Sequence, residues 1–172
     1  MITRTYDFHP GLEIRYTEPD DGKYVLKWFK EVETGRWFPM HELGEKEDAA
    51  ERWVMFHKYK CSLTATMHGV PCGIATLYLQ PYRKLAHHCE FGIIVGDGFR
   101  NLGIGSVLLT ALMELARDNF KIEVLSLQVY GENPAIPMYK SLGFREFGRQ
   151  SHFIKEVGGS YVARVFMECF LN

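Results

Sequence analysis

The residues best suited to chemistry lie in one segment, Glu90 to Leu109, which reads EFGIIVGDGFRNLGIGSVLL. It combines an apolar stretch that begins with a carboxylate, a glycine-rich turn with one arginine, and a second apolar stretch with helical spacing. A strand, a glycine turn and a helix in this order place free backbone N–H groups at a helix N-terminus, where anions bind. The sequence therefore predicts a site for a phosphate-bearing ligand at this turn.

Two common phosphate-binding loops do not match the turn. A mononucleotide P-loop requires G-x-x-x-x-G-K-[ST], and that string occurs nowhere in the chain. The dinucleotide fingerprint G-x-G-x-x-G begins at Gly103 and Gly105, but Leu108 takes the place of its third glycine. Glu123, about twenty residues further on, opens the next predicted strand instead of closing it. Both nucleotide-binding classes are therefore disfavoured.

The hydrophobic pattern predicts the elements that position the turn. Residues 86–95 are typical of a central strand, on which Glu90 faces away from Cys89 and Phe91. Apolar positions from Ile104 to Leu115 follow the helical i, i+3, i+4 spacing. Residues 124–129 are typical of a parallel strand that is buried on both faces.

The rest of the chain predicts one strand, two helices around an aromatic loop, a hairpin turning near Gly69, a short helix and a final hairpin. In chain order these are residues 12–17, 23 to about 35, the loop 35–44, 45–59, 61–67 with 71–79, 135–143, and 144–156 with 161–171. Residues 1–11 show no clear period, so we expect an N-terminal arm ahead of one domain spanning residues 12–172.

Composition disfavours several classes of function. The net charge is −1, and Lys and Arg are spread along the 172 residues, so no nucleic-acid partner is expected. No apolar run approaches the ~20 residues that span a bilayer, so no membrane association is expected. Four cysteines (Cys61, Cys72, Cys89 and Cys169) lack metal-ligand spacing. They predict buried, reduced thiols in a cytoplasmic protein and no metal site.

Two motifs carry a resemblance to a known family. The turn Arg100-Asn101-Leu102-Gly103-Ile104-Gly105 resembles the R/Q-x-x-G-x-G/A signature of the GNAT family of N-acetyltransferases. The later string NPAIPMYKSLGF is similar to that family's second motif, with Tyr139, Gly143 and Phe144 in register. Looser similarity covers residues 12–171. The resemblance implies one α/β (α+β) domain with a central mixed, mostly antiparallel sheet of about seven strands, flanked by about four helices.

The same resemblance implies acetyl-CoA as co-substrate. In the family, strand main-chain groups hold the donor, and the turn with the following helix N-terminus holds the pyrophosphate. The cofactor-binding residues implied here are Ile93, Ile94, Val95, Arg100, Asn101, Leu102, Gly103, Ile104, Gly105, Ser106, Asn133 and Tyr139. Alternatives remain open for some of them: Arg100 as a surface arginine, and Asn133 as a turn residue.

Acetyl transfer to an amine needs a held donor, a deprotonated nucleophile and a proton source for the departing thiolate. The resemblance places the Tyr139 hydroxyl near the cofactor sulfur as general acid; a purely structural aromatic is the alternative. Glu90 is the candidate general base, acting through a water. A carboxylate in an otherwise apolar strand costs free energy, which suggests that it has a function there. An exposed or ion-paired glutamate is the alternative.

These assignments predict an acetyl-CoA-dependent N-acetyltransferase that works by direct attack in a ternary complex. The acceptor is a primary amine: a small molecule, an amino acid, a peptide N-terminus or a lysine. We assign acceptor recognition to Trp37, Phe38, Met40, Tyr82 and the 151–160 turn. Some relatives carry an acidic residue where this chain reads Val162-Ala163-Arg164, so their substrate cannot be transferred.

The alternative function is a CoA-binding or acyl-CoA-binding sensor that has kept the fold without turnover. In either case we expect a monomer or homodimer in the cytoplasm.

Overall fold

The computed structural model describes residues 4–5 and 10–171, which form one mixed sheet with helices on both faces. The strands are β1 (Arg4–Thr5), β2 (Leu12–Tyr16), β3 (Ser62–Met67), β4 (Val70–Tyr78), β5 (His88–Val95), β6 (Val124–Tyr130), β7 (Arg145–Lys155) and β8 (Tyr161–Phe170). The helices are α1 (Gly22–Lys30), α2 (Val32–Gly35), α3 (Leu43–Met55), α4 (Ile104–Phe120) and α5 (Ile136–Ser141).

The strand order is β1-β2-β3-β4-β5-β6-β8-β7, and only the β5–β6 pair is parallel. The predicted fold class, mixed and mostly antiparallel, is confirmed. Within the predicted arm, Arg4 and Thr5 pair with Ile14 and Glu13 of β2. Residues 1–3 and 6–9 of that arm lie outside the described residues.

The sheet separates two hydrophobic cores. On the α4 face, α4 and α5 pack against the larger core, which includes Leu108, Leu112 and Phe144. On the opposite face, called the α1 face, Trp28 and Trp53 of α1 and α3 pack against β4 and β5. The α1 face is only partly covered, because β7 stays exposed along most of its length.

Two helix boundaries and the burial of one strand differ from the sequence prediction. The helix predicted from residue 23 to about 35 is broken at Glu31, whose backbone is extended and whose carboxylate accepts a hydrogen bond from the Asp97 N–H (2.9 Å). The helix predicted over 45–59 begins at Leu43, where Glu42 and Glu45 form a capping box, and its last residues form a 3-10 turn. The strand β6 is not buried on both faces, because Gln128 is exposed on the α1 face.

A buried ionic network fixes the start of α1 to the sheet. The Asp21 carboxylate accepts two hydrogen bonds from the Arg15 guanidinium (both 2.8 Å), one from the Glu18 N–H (2.9 Å) and one from the Thr64 hydroxyl (2.8 Å). Burial acts to raise the pKa of Asp21, but these hydrogen bonds outweigh it and hold the pKa below its usual value.

Replacing this carboxylate, as in Asp21→Asn, should lower the free energy of unfolding by about 2–4 kcal/mol, because Arg15 would lose its buried ionic partner. The folded-state pKa lies below the unfolded-state value of about 3.9. The carboxylate therefore contributes fully above that pH, and its contribution is lost as the pH falls further. Urea unfolding at neutral pH and in acid measures the difference, which should shrink in acid. Asp48→Asn, in an exposed pair with Arg52, is the control and should change stability by less than about 0.5 kcal/mol.

Candidate active site

The parallel strands β5 and β6 pair only at their beginnings. Their register is His88 with Val124, Cys89 with Leu125 and Glu90 with Ser126. Past these pairs β5 continues to Val95 and β6 to Tyr130, each paired only with the strand on its outer side. The two strands therefore part in the middle of the sheet and leave a gap between them.

The gap opens into a cavity of about 430 Å³, a volume within the range of small-molecule and cofactor sites. Every cofactor-binding residue implied by the sequence lines it, with the exceptions of Leu102 and Ile104. The Leu102 side chain is about half exposed, whereas the Ile104 side chain is buried in the core and leaves only its main chain at the turn. Residues that the sequence assigned to the strand, the turn and the α5 region therefore line one cavity.

Backbone amides at the start of α4 form an anion-binding arrangement. Asn101 (φ 61°) and Gly103 (φ 77°) are both left-handed, and they turn the chain into the helix. Val107 N–H donates to the Gly103 carbonyl (3.2 Å), so the N–H groups of residues 104–106 precede the first helical hydrogen bond. The first turn of α4 contains no acidic side chain. Free N–H groups and the helix dipole together favour a phosphate here.

Arg100 connects this turn to α2. Its Nη1 donates to the carbonyl oxygen of Glu33 (2.9 Å) and lies 3.9 Å from Asp97 Oδ1. The Thr34 hydroxyl contacts the Asp97 carboxylate and the Val95 carbonyl oxygen. The arginine lines the cavity, but its guanidinium already donates a hydrogen bond to the main chain of α2. Its assignment to a pyrophosphate stays a prediction.

The second motif forms the far wall of the cavity on the α4 face. The Asn133 side-chain oxygen accepts the Ala135 N–H (2.9 Å), so this asparagine has the turn role that was left open, at a position that also lines the cavity. The Tyr139 ring packs against Phe91 (6.3 Å between centroids) and Phe144 (6.1 Å). A tyrosine hydroxyl is protonated at neutral pH, and burial raises the pKa of Tyr139 further above its usual value.

Glu90 lies at the other face, where the strands begin to part. Its carboxylate accepts a hydrogen bond from Gln128 Nε2 (2.9 Å), and Gln128 Oε1 accepts one from Arg164 Nε (3.3 Å). Gln128 lines the cavity, whereas Glu90 does not and is linked to it only through this hydrogen bond. Tyr78, opposite Glu90 on β4, has its pKa raised by burial and by the Glu90 charge.

Gly92, which lines the cavity, leaves room for two large side chains packed beside it on the α1 face. A Cβ at this position would lie 2.5 Å from the Tyr78 hydroxyl oxygen and 3.0 Å from the Trp53 ring. No single-strand pattern could find Tyr78, Gln128 or Arg164, because only the register of neighbouring strands places Tyr78 and Gln128 beside Glu90 and Arg164 beside Gln128. Their polar character in otherwise apolar strands was the available signal.

The predicted acceptor residues separate into two groups. Trp37 and Phe38 line the cavity, and with Met40 they also line an adjoining groove of about 460 Å³. The Trp37 ring meets Tyr130 edge to face (6.3 Å), between the cavity and the groove. Tyr82 is about 70% exposed and lines neither the cavity nor the groove. The structure therefore brings three of the four together.

Within residues 4–5 and 10–171, no cluster of three or more His, Cys, Asp or Glu side chains could hold a metal ion. In the same part of the chain, no helix combines the length and apolar character that crossing a bilayer requires.

A split pair of parallel strands beside an anion-binding helix N-terminus defines a cleft for an extended, phosphate-bearing ligand. The sequence model of the Acetyltransferase (GNAT) family matches residues 23–144, well over half of the chain. This protein belongs to the GNAT acetyltransferase family, and the resemblance found in its two motifs is confirmed.

Individual relatives agree with this assignment. The chain is similar to the L-amino acid N-acetyltransferase AaaT of Escherichia coli K12, with 29% identity over 106 residues, or 61% of this chain. That match spans 65% of the relative's length, which is less than two thirds.

Solved structures share the fold. A protein described provisionally as a phosphinothricin N-acetyltransferase superposes with a TM-score of 0.81 and 21% identity, over 94% of this chain and 99% of that one. The provisional acetyltransferase yncA from Salmonella typhimurium, solved with its cofactor acetyl-CoA, gives a TM-score of 0.77 and 17% identity over 94% of each chain.

A negative charge introduced at the turn should affect anion binding and helix stability in opposite directions. Ser106→Asp should stabilise α4 slightly, because an acidic residue in the first turn favours the helix dipole. The same charge should weaken CoA binding at least about tenfold, because it would repel the phosphates. Thermal unfolding and calorimetric titration with CoA measure the two effects. Thr110→Asp, exposed one turn further along, is the control and should bind CoA like the unmodified protein. Equal CoA affinity for Ser106→Asp would contradict the site.

Proposed function

We propose that this protein is an acetyl-CoA-dependent N-acetyltransferase that acts on a primary amine by direct attack in a ternary complex. One observation carries the proposal: β5 and β6 part beside an anion-binding helix N-terminus, with a candidate proton donor and a candidate base on opposite faces of the sheet. Tyr139 approaches from the α4 face and Glu90 from the α1 face.

The cavity residues fit the cofactor. The amides of residues 104–106 would hold the pyrophosphate, and Arg100 adds a positive charge beside them. Alternation along β5 supports a role for main-chain groups: Gly96 N–H bonds toward β4, whereas the Val95 carbonyl accepts a hydrogen bond from Thr34 and so points away from β4. By the same alternation, the peptide groups of Phe91 and Ile93 face the gap, where an extended amide-bearing arm would pair with them.

Acetyl-CoA supplies an acetyl group as a thioester, which an amine nitrogen attacks with loss of a thiolate. The Tyr139 hydroxyl, which is neutral at pH 7, holds the proton that this sulfur needs. Glu90 receives the proton that the amine gives up, through a water. The two groups approach from opposite faces, so the proton lost by the amine and the proton gained by the sulfur follow separate paths.

The acceptor reaches the gap from the α1 face, where the cover is incomplete. Trp37 and Phe38 form the side of the opening nearest α2. The assembly that we propose is a monomer or a homodimer. The four buried free cysteines support the cytoplasm as its compartment.

Release of free thiol from acetyl-CoA across a panel of amines tests the proposal. Turnover with at least one amine, together with stabilisation of the protein by CoA, is the expected result. Stabilisation by CoA without turnover on any amine would instead establish the sensor function.

Removing the proton donor, as in Tyr139→Phe, should lower kcat about 100-fold or more, because general acid catalysis typically contributes that much. The KM for acetyl-CoA should change little, since the ring and its packing are kept. Steady-state thiol release measures both constants. Tyr59→Phe, at an exposed position, is the control and should retain full activity. An unchanged kcat in Tyr139→Phe would remove the general-acid role.

Glu90→Gln should lower kcat/KM by about 100-fold near neutral pH, because the amine would lose its base. The deficit should narrow as the pH rises toward the pKa of the acceptor amine, where the solution already supplies neutral amine. A pH profile of both proteins measures this. Glu47→Gln, on the exposed side of α3, should match the unmodified profile. A constant ratio at every pH would show that Glu90 is not the base.

A further inference from the structure

Three polar side chains form a row across neighbouring strands on the α1 face. Glu90 lies on β5, Gln128 on β6 and Arg164 on β8, and each is hydrogen-bonded to the next (2.9 and 3.3 Å). The row begins where β5 and β6 part, and Gln128 lines the cavity. It therefore extends from the proposed base toward the open half of the face.

Most of the Arg164 guanidinium is not engaged by the protein. Only its Nε donates a hydrogen bond, to Gln128, and no carboxylate among residues 4–5 and 10–171 lies within ion-pair distance of it. The group stacks over the Phe153 ring (4.9 Å to the centroid) and lies 6.0 Å from the Tyr130 centroid. A half-buried guanidinium held by aromatic rings presents its two terminal nitrogens as a fixed fork, the arrangement that binds a carboxylate with two parallel hydrogen bonds.

We propose that Arg164 binds the α-carboxylate of the acceptor, which makes the substrate a free α-amino acid. This inference rests on the proposed acetyltransferase function and names the substrate class of the same site. The acceptor amine faces Glu90 and its carboxylate faces Arg164. A peptide N-terminus or a lysine side chain lacks a carboxylate on the carbon that bears the reacting amine.

The orientation of Gln128 gives the polarity of the bound acceptor. Its amide turns N–H toward the Glu90 carboxylate and oxygen toward the Arg164 guanidinium. An amino acid beside Gln128 has the same polarity, with a donor amine at one end and an acceptor carboxylate at the other. The same row rejects the reverse orientation, because the substrate carboxylate would then face Glu90.

The test compares each of a panel of free L-amino acids with its α-amide and its decarboxylated amine, by thiol release at saturating acetyl-CoA. In the unmodified protein, at least one amino acid should be acetylated with a KM about tenfold or more below that of its two counterparts, since a charge-assisted hydrogen bond contributes at least that factor. Arg164→Gln should raise the KM for the amino acid about tenfold or more. It should leave the KM of the decarboxylated amine, and kcat for both, nearly unchanged.

Two further variants keep the result interpretable. Arg164→Lys retains the charge without the planar fork, so its KM for the amino acid should fall between those of the unmodified protein and Arg164→Gln. Arg117→Gln removes one positive charge on α4, away from the cavity lining, and should keep the original preference. Melting temperatures of all variants identify any loss of folding.

Each outcome separates the two proposals. Turnover on amines with no preference for the free carboxylate, or an equal effect of Arg164→Gln on amino acid and decarboxylated amine, would overturn the role of Arg164 and leave the acetyltransferase function standing. Acetylation of peptide N-termini in preference to free amino acids would do the same. Absence of turnover on every amine, with CoA still bound, would overturn the acetyltransferase function itself.

Discussion

The structure depends on the loss of pairing between two parallel strands in the middle of its sheet. A buried strand normally pairs on both sides, because an unpaired main-chain polar group away from water costs free energy. Here β5 and β6 stop pairing after Glu90 and Ser126, although both strands continue. The Ser126 hydroxyl, in the last pair, is the buried side-chain polar atom without a hydrogen-bond partner among the described residues. Past this pair, the main-chain groups of both strands that face the gap have no strand partner, so a ligand in the gap can bind them.

The rest of the fold makes this gap tolerable. Each strand keeps a continuous partner on its outer side, β4 for β5 and β8 for β6. On the α4 face, α4 and α5 hold the parted strands through one shared core, which contains Phe91, Leu127 and Tyr139. On the α1 face, α1 and α3 pack against β4 and β5, whereas Gln128 of β6 and most residues of β7 are exposed. Tyr139 is therefore enclosed on the α4 face, whereas Glu90 lies on a face that is partly open.

The short helix α2 is also held against the turn that precedes α4. The break at Glu31 lets α2 approach the end of β5, where Thr34 and the Glu33 carbonyl contact Asp97, Val95 and Arg100. The next residues along the chain, Trp37 and Phe38, line the cavity. These two cavity-lining residues are therefore anchored, through α2, on the turn that precedes α4, so both sides of the cavity share one support.

Features that depend on a few neighbouring residues could be predicted from the sequence. The glycine turn, the α4 periodicity and the NPAIPMYKSLGF motif encode their own conformations, because turn glycines, apolar spacing and helix ends act over a few residues. They were enough to predict the fold class, the family and most of the cavity lining. The alignment of neighbouring strands became clear only from the folded structure. Register brings Gln128 and Arg164 to Glu90, the incomplete cover exposes Gln128, and the break at Glu31 depends on a contact 66 residues away. These features arise from contacts between distant segments, which no single stretch of sequence specifies.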